Sequence, residues 1–120
     1  MAITKLGNEL FNMNREEFRN LVGTKPKEFR KSKFSKNTTD DFGNLHAFYT
    51  KDNKLDSIEY FGNKKDKFSR VKRLLSKVDP NLRSDRAGII SDRYGVAVAG
   101  GNDPSDRVES LVYTRPSDPN

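Results

Sequence analysis

The stretch Leu45-His46-Ala47-Phe48-Tyr49-Thr50-Lys51-Asp52-Asn53-Lys54-Leu55-Asp56-Ser57-Ile58-Glu59-Tyr60-Phe61 decides the fold. Its two ends, Leu45 to Tyr49 and Leu55 to Phe61, are rich in aromatic and aliphatic residues, and the polar run Lys51 to Lys54 separates them, which is the pattern of a β-hairpin. Upstream, Asn14 is a good N-cap and Glu17, three residues later, completes a capping box, with Met13 and Phe18 at the positions of a hydrophobic staple. Phe18, Leu21 and Val22 fall on one face and Gly23 suits a left-handed stop, so a helix is expected over about Arg15 to Val22. Between helix and hairpin, Glu28 to Phe34 reads as a lysine-rich edge strand, and Asn37 to Asp41 as turn chemistry.

Downstream of the linker Gly62 to Lys65, Phe68, Val71, Leu74, Leu75 and Val78 recur at helical spacing, which predicts one apolar stripe against the core. Asp79-Pro80 stops that helix. Short strands are expected at Ile89-Ile90, Val96 to Ala99 and Val108 to Tyr113, with Gly100 to Pro104 turning between the last two and a frayed tail from Pro116 to Asn120.

The halves read alike. Phe42-Gly43 leads a strand as Tyr94-Gly95 does, 52 residues on; Leu55-Asp56-Ser57-Ile58 matches Val108-Glu109-Ser110-Leu111 at an offset of 53, and Leu21 matches Leu74 at the same offset. The expected class is therefore α+β: one domain over residues 1–120, with an antiparallel sheet and two helices packed on one face. A duplicated helix-plus-β-hairpin unit would occupy about 13–61 and 66–114.

Composition narrows the function. At 120 residues, 32% apolar and 33% charged, the chain has room for one thin core under a wet surface. No apolar run approaches the length of a membrane span, and the N-terminus lacks an export pattern, so the expected location is the cytoplasm, with no membrane partner. There is no cysteine and a single histidine, which argues against a disulfide framework, thiolate chemistry or a histidine-based metal site. His46 sits within an alternating strand and reads as an ordinary strand residue. Asp40 and Asp41 are adjacent acids that read as turn formers rather than an acid–base pair, and Gly100-Gly101-Asn102-Asp103 as a plain hairpin turn. No phosphate loop, nucleophile elbow or metal-ligand spacing is present, so no enzyme activity, cofactor or metal is expected.

The net charge of +6 is unevenly spread. Residues 25–36 and 64–77 together hold thirteen of the 23 basic residues and only two acids, Glu28 and Asp66. Brought together in space, they would make an anion-attracting patch. Phe29 and Phe34 are interleaved with the first run, a pattern also used to hold single-stranded nucleic acid.

Met13 to Phe18 with Leu21 and Gly23-Thr24-Lys25-Pro26, then Ser35 to Phe42, Phe48-Tyr49 and Leu55 to Phe61, resembles the small immunity proteins that bacteria encode beside polymorphic or contact-dependent toxins. The likeness extends to Ile90 to Val96 and Val108 to Leu111, and the repeated unit is similar in plan to β-lactamase-inhibitor-type domains. The resemblance implies a cytoplasmic protein that binds one cognate toxin domain and blocks it without catalysis of its own. Its basic character points to a toxin with an acidic face, docked through Arg30, Lys31, Lys33, Lys36, Lys72 and Arg73 with aromatic anchors nearby. The alternative is a small basic nucleic-acid-binding protein.

Overall fold

In the computed structural model, residues 7–61, 66–101 and 105–117 are described. Two helices, α1 (Arg15–Val22) and α2 (Phe68–Val78), accompany eight strands: β1 (Lys27–Phe29), β2 (Thr39–Asp41), β3 (Leu45–Tyr49), β4 (Leu55–Tyr60), β5 (Arg83–Ser84), β6 (Gly88–Ser91), β7 (Val96–Gly100) and β8 (Val108–Thr114). Residues 7–10 form a further helical turn, which was not among the expected elements. All strands join one antiparallel sheet of order β1-β2-β3-β4-β8-β7-β6-β5. Each helix is thus followed by four strands rather than a single hairpin, and the last strands of the two series, β4 and β8, meet at a central seam.

Local chemistry explains the helix ends. The Asn14 side chain accepts from the Glu17 N–H at 2.8 Å, the Glu17 carboxylate accepts from the Asn14 N–H at 3.1 Å, and Gly23 closes α1 at φ +84°. The N-cap residue of α2, Lys67, makes no capping bond; the Asp106 carboxylate instead accepts from the Ser69 N–H at 3.2 Å, and the helix ends at Asp79, before Pro80. Both starts are tied to the sheet in the same way. The Arg15 N–H donates to the Asn53 carbonyl and the Phe68 N–H to the Asp106 carbonyl, both at 2.8 Å. Asn53 and Asp106 are the two non-glycine residues with positive φ among those described, and the bridges Asn14–Lys54 and Lys67–Arg107 flank them.

Two apolar clusters form the core. Phe18 packs with Phe11, Ala47, Leu55 and Ile58 in the first; Ile89, Val98 and Val108 form the second, covered by Phe68, Val71 and Leu75 of α2. Cross-strand register places Ala47 beside Ile58, Ile58 beside Tyr113, Tyr113 beside Val96, and Val98 between Leu111 and Ile89. Since paired residues share a face, the sheet residues of both clusters lie on the same side.

Several expectations need correction. Leu21 is 58% exposed and Leu74 51%, and Val78 is also exposed, so the buried stripe of each helix is narrower than the spacing suggests. The edge strand ends at Phe29, and the basic segment beyond it is a loop. Residues 39–41, read as turn, are strand β2, and β5 carried no apolar signal at all. Pro116 is buried, and the Ser117 N–H donates to the Asp92 carbonyl at 3.0 Å, so the chain is still packed where a frayed tail was expected. The linker 62–65 and the turn residues Asn102 to Pro104 lie outside the described residues.

Candidate interaction surface

The sheet face turned away from the two core clusters differs between its halves. On the β1–β4 side, register aligns Asp41 with His46 and His46 with Glu59, in alternation with the core pairs. The Phe29 ring stands edge-on to His46 at 5.1 Å and His46 edge-on to Phe61 at 4.9 Å, which makes a row of three rings. His46 Nε2 lies 3.5 Å from Asp41 Oδ1. Phe48, two residues along β3, carries the Lys31 ammonium 4.9 Å from its ring centre. On the β5–β8 side the same face presents Ile90, Ala97, Ala99, Ser110 and Val112. These are small or aliphatic, and Ser110 donates to Glu59 across the seam at 3.2 Å.

Beside the aromatic row stands the β1–β2 loop. Its conformation is set locally: Arg30 donates to the Ser35 carbonyl at 2.9 Å, the Ser35 N–H to the Ser32 carbonyl at 3.1 Å, the Ser32 N–H to Ser35 Oγ at 3.1 Å, and the Phe34 N–H to Ser32 Oγ at 3.2 Å. That hydroxyl-stapled turn presents Phe34, 80% exposed, with the Lys33 ammonium 5.2 Å from its ring. A large, fixed aromatic surface rimmed by lysines is the make-up of an interface anchor. A groove of about 310 Å³ runs between this loop and the β3–β4 turn, lined among others by Lys31, Lys36, Lys51, Thr38, Thr50 and Phe48.

The loop is anchored beneath the sheet. Asp40 faces α1 because it pairs with Ala47, and its side chain is fully buried. Arg15 and Arg19 each donate to Oδ1 at 2.6 Å, Arg19 also to Oδ2 at 2.7 Å, and the Tyr49 hydroxyl to Oδ2 at 2.8 Å. Burial alone would raise the carboxyl; the hydrogen bonds from Arg19, Arg15 and Tyr49 outweigh it and hold Asp40 at about 2. The same bonds to Asp40 raise Arg19, and burial followed by Asp40 raises the Tyr49 hydroxyl. Arg15 reaches further, to Asn37 Oδ1 and Thr38 Oγ1 at 2.9 Å and to Glu28 at 3.4 Å, and so holds both ends of the loop.

The adjacent acids therefore part company: Asp40 turns inward to the arginines and Asp41 outward to His46, where it also accepts from the Gly43 N–H at 2.7 Å. Of the basic residues singled out in the sequence, Arg30, Lys31, Lys33 and Lys36 share the one loop, while Lys72 and Arg73 are exposed on α2, over β6 to β8 on the far side of the seam. Among the described residues, the basic side chains of the loop and of α2 do not form a single patch. Lys51 joins the loop lysines at the groove, although nothing in its sequence position marks it; only the return of β3 brings it there. Among the described residues, no group of His, Asp or Glu is arranged to hold a metal ion, and no helix is long and apolar enough to cross a membrane.

A second, apolar groove of about 610 Å³ lies on the helix side over the seam, lined by Leu10, Phe18, Leu21, Ile58, Tyr94 and Tyr113 among others. No family model matches the chain, and neither a curated protein nor a solved structure matches it significantly.

Proposed function

We propose that the chain is a protein-binding module of the immunity type, two diverged copies of a helix-plus-meander unit joined at β4 and β8 with both helices on one face, which blocks a toxin domain by occupying it. Register supports the duplication. At the seam Glu59 pairs with Val112, the residue 53 positions later, and the pairs on either side, Ile58–Tyr113 and Tyr60–Leu111, exchange under the same offset. This is the self-complementary pairing of a two-fold axis. Asn53 and Asp106, the bridges Asn14–Lys54 and Lys67–Arg107, and the N–H donors Arg15 and Phe68 are all related by 53 as well. Each hairpin shifts register at the matching place, beside Tyr49–Leu55 and beside Gly100–Val108.

Against that common plan, the β1–β2 connection stands out. It runs for nine residues where its counterpart between β5 and β6 has three. A tight turn suffices to build the unit, so the added length serves something other than the fold. This enlarged loop, with Phe34 displayed beside an aromatic sheet face, is the observation that carries the reading.

The test is co-expression with the C-terminal domain of a large secreted protein encoded by a neighbouring reading frame. The chain should rescue growth, and Phe34→Asp should abolish rescue while leaving the fold intact. Failure of a well-folded chain to rescue, against every such neighbouring domain, overturns the immunity assignment. A nucleic-acid role has one observation in its favour, the Lys31 and Phe48 pair on the open face. It requires binding to arbitrary single strands that falls steeply with salt.

A further inference from the structure

We infer that the groove between the β1–β2 loop and the β3–β4 turn seats an acidic segment of the partner, with an apolar side chain of that segment against Phe48, and that Asn37 is the positioning residue that keeps the two walls in register. The inference rests on the protein-binding reading above and deepens it by naming the occupant.

Three observations carry it. First, the groove is cationic on both walls: Lys31 and Lys36 come from the loop, Lys51 from the turn. Among the described residues no acid lines the groove: Asp52, on the same turn, lines a separate hollow with Arg15 and Asn53, and the other nearby acids are engaged. Glu28 accepts from Arg15 and from the Thr38 hydroxyl, Asp40 is enclosed by two arginines, and Asp41 is beside His46. The lysine charges are therefore left to an outside anion. Second, the floor combines an aromatic ring, Phe48, with the threonines Thr38 and Thr50, so it suits a mixed peptide surface better than a bare ion.

Third, the walls are joined. The Asn37 amide donates to the Thr50 carbonyl at 3.2 Å and to Asn53 Oδ1 at 2.6 Å, while its oxygen accepts from Arg15 and from the Thr38 N–H, both at 2.9 Å. With its side chain linked to both segments and to α1, Asn37 fixes the groove width before any partner arrives. Preorganisation of this kind reduces the ordering cost of binding. Against a duplex or long strand, the lysines of α2 lie across the seam, so the groove offers a short cationic seat and not a continuous track.

The experiment uses the full chain, isotope-labelled, titrated with a twelve-residue peptide alternating Glu and Phe and, separately, with a twelve-nucleotide oligo-dT, while backbone amide shifts are followed. The peptide should move the amides of Lys31, Lys36, Phe48 and Lys51, and the double variant K36E/K51E should weaken it at least tenfold. Asn37→Ala should weaken it about fivefold and speed hydrogen exchange in residues 30–36, with the α2 and β5–β8 amides unmoved. Faster exchange in residues 30–36 with the peptide affinity unchanged would make Asn37 a structural residue only and overturn its positioning role. Peptide shifts elsewhere, or none, overturn the inference; if a rescuing toxin domain still binds, the protein-binding reading survives that loss. Shifts of these same amides by oligo-dT alone overturn both.

Discussion

Under α1 the sheet contributes Asp40, and under α2 the corresponding strand contributes Ile89: each is the second residue of its short strand, paired with Ala47 in one half and Val98 in the other. The first half covers this position with Arg15, Arg19 and Tyr49, and the second with aliphatic and aromatic side chains from α2 and β8. Buried ion clusters seldom stabilise a fold more than apolar packing of the same volume does. What they add is direction, since a guanidinium can bond several partners at fixed angles. Arg15 uses that capacity to reach Glu28, just before the enlarged loop, and Asn37 and Thr38 at its far end. The half that buries the arginine–aspartate cluster is the half that carries a long loop to be held, and the other half, whose buried Asp79 accepts from neighbouring groups such as Ser91, makes do with a three-residue turn.

The contrast breaks most visibly at Asp40. Asp40→Ala leaves Arg15 and Arg19 beside each other without their buried carboxylate and should cost about 3 kcal/mol or more, whereas Ile89→Val in the other half should cost about 1 kcal/mol; denaturant unfolding measures both. Acid should act on the same group. Folding depresses the Asp40 carboxyl from its ordinary 3.8 to about 2, so its contribution is complete above pH 4 and is lost as pH falls toward 2. A loss of about 2 kcal/mol across that window is expected. In Asp40→Asn, urea midpoints at pH 4 and pH 2 should differ much less.

The β-turn glycines sharpen the comparison further. Gly43 and Gly95 both have positive φ, but a Cβ on Gly43 meets nothing within 4 Å while one on Gly95 lies 2.1 Å from the Thr114 carbonyl oxygen. Gly95→Ala should therefore cost about 1–2 kcal/mol more than Gly43→Ala in thermal unfolding. The smallest effect belongs to the leucines that the two helices leave outside. Leu21→Gln and Leu74→Gln should each change stability by less than about 0.5 kcal/mol, and a larger loss at either would mean that its helix is more deeply packed.

Much of this was legible in the chain. The capping box at Asn14 and Glu17, the hairpin around Lys51 to Lys54 and the end of α2 at Asp79-Pro80 are local chemistry, and local chemistry survives without tertiary knowledge. Strand β2 was not legible: Thr-Asp-Asp disfavours extended pairing, and only the distant arginines of α1 make it a strand. Leu21 and Leu74 share the same error. Periodicity places a residue on a helix face but does not give the width of the surface beneath it. At the candidate site, Arg30, Lys31, Lys33 and Lys36 stood out by charge, yet the role of Asn37 and the arrival of Lys51 depend on contacts between segments that no spacing encodes.

The assignment of docking to the first half has a direct test. A photo-crosslinking residue is placed at Phe34, or at Ala87 in the β5–β6 turn, and the full chain is exposed to a toxin domain against which co-expression with the chain has rescued growth. Irradiation should yield a one-to-one adduct from position 34 and none from position 87. An adduct from position 87 with none from position 34 would contradict the account.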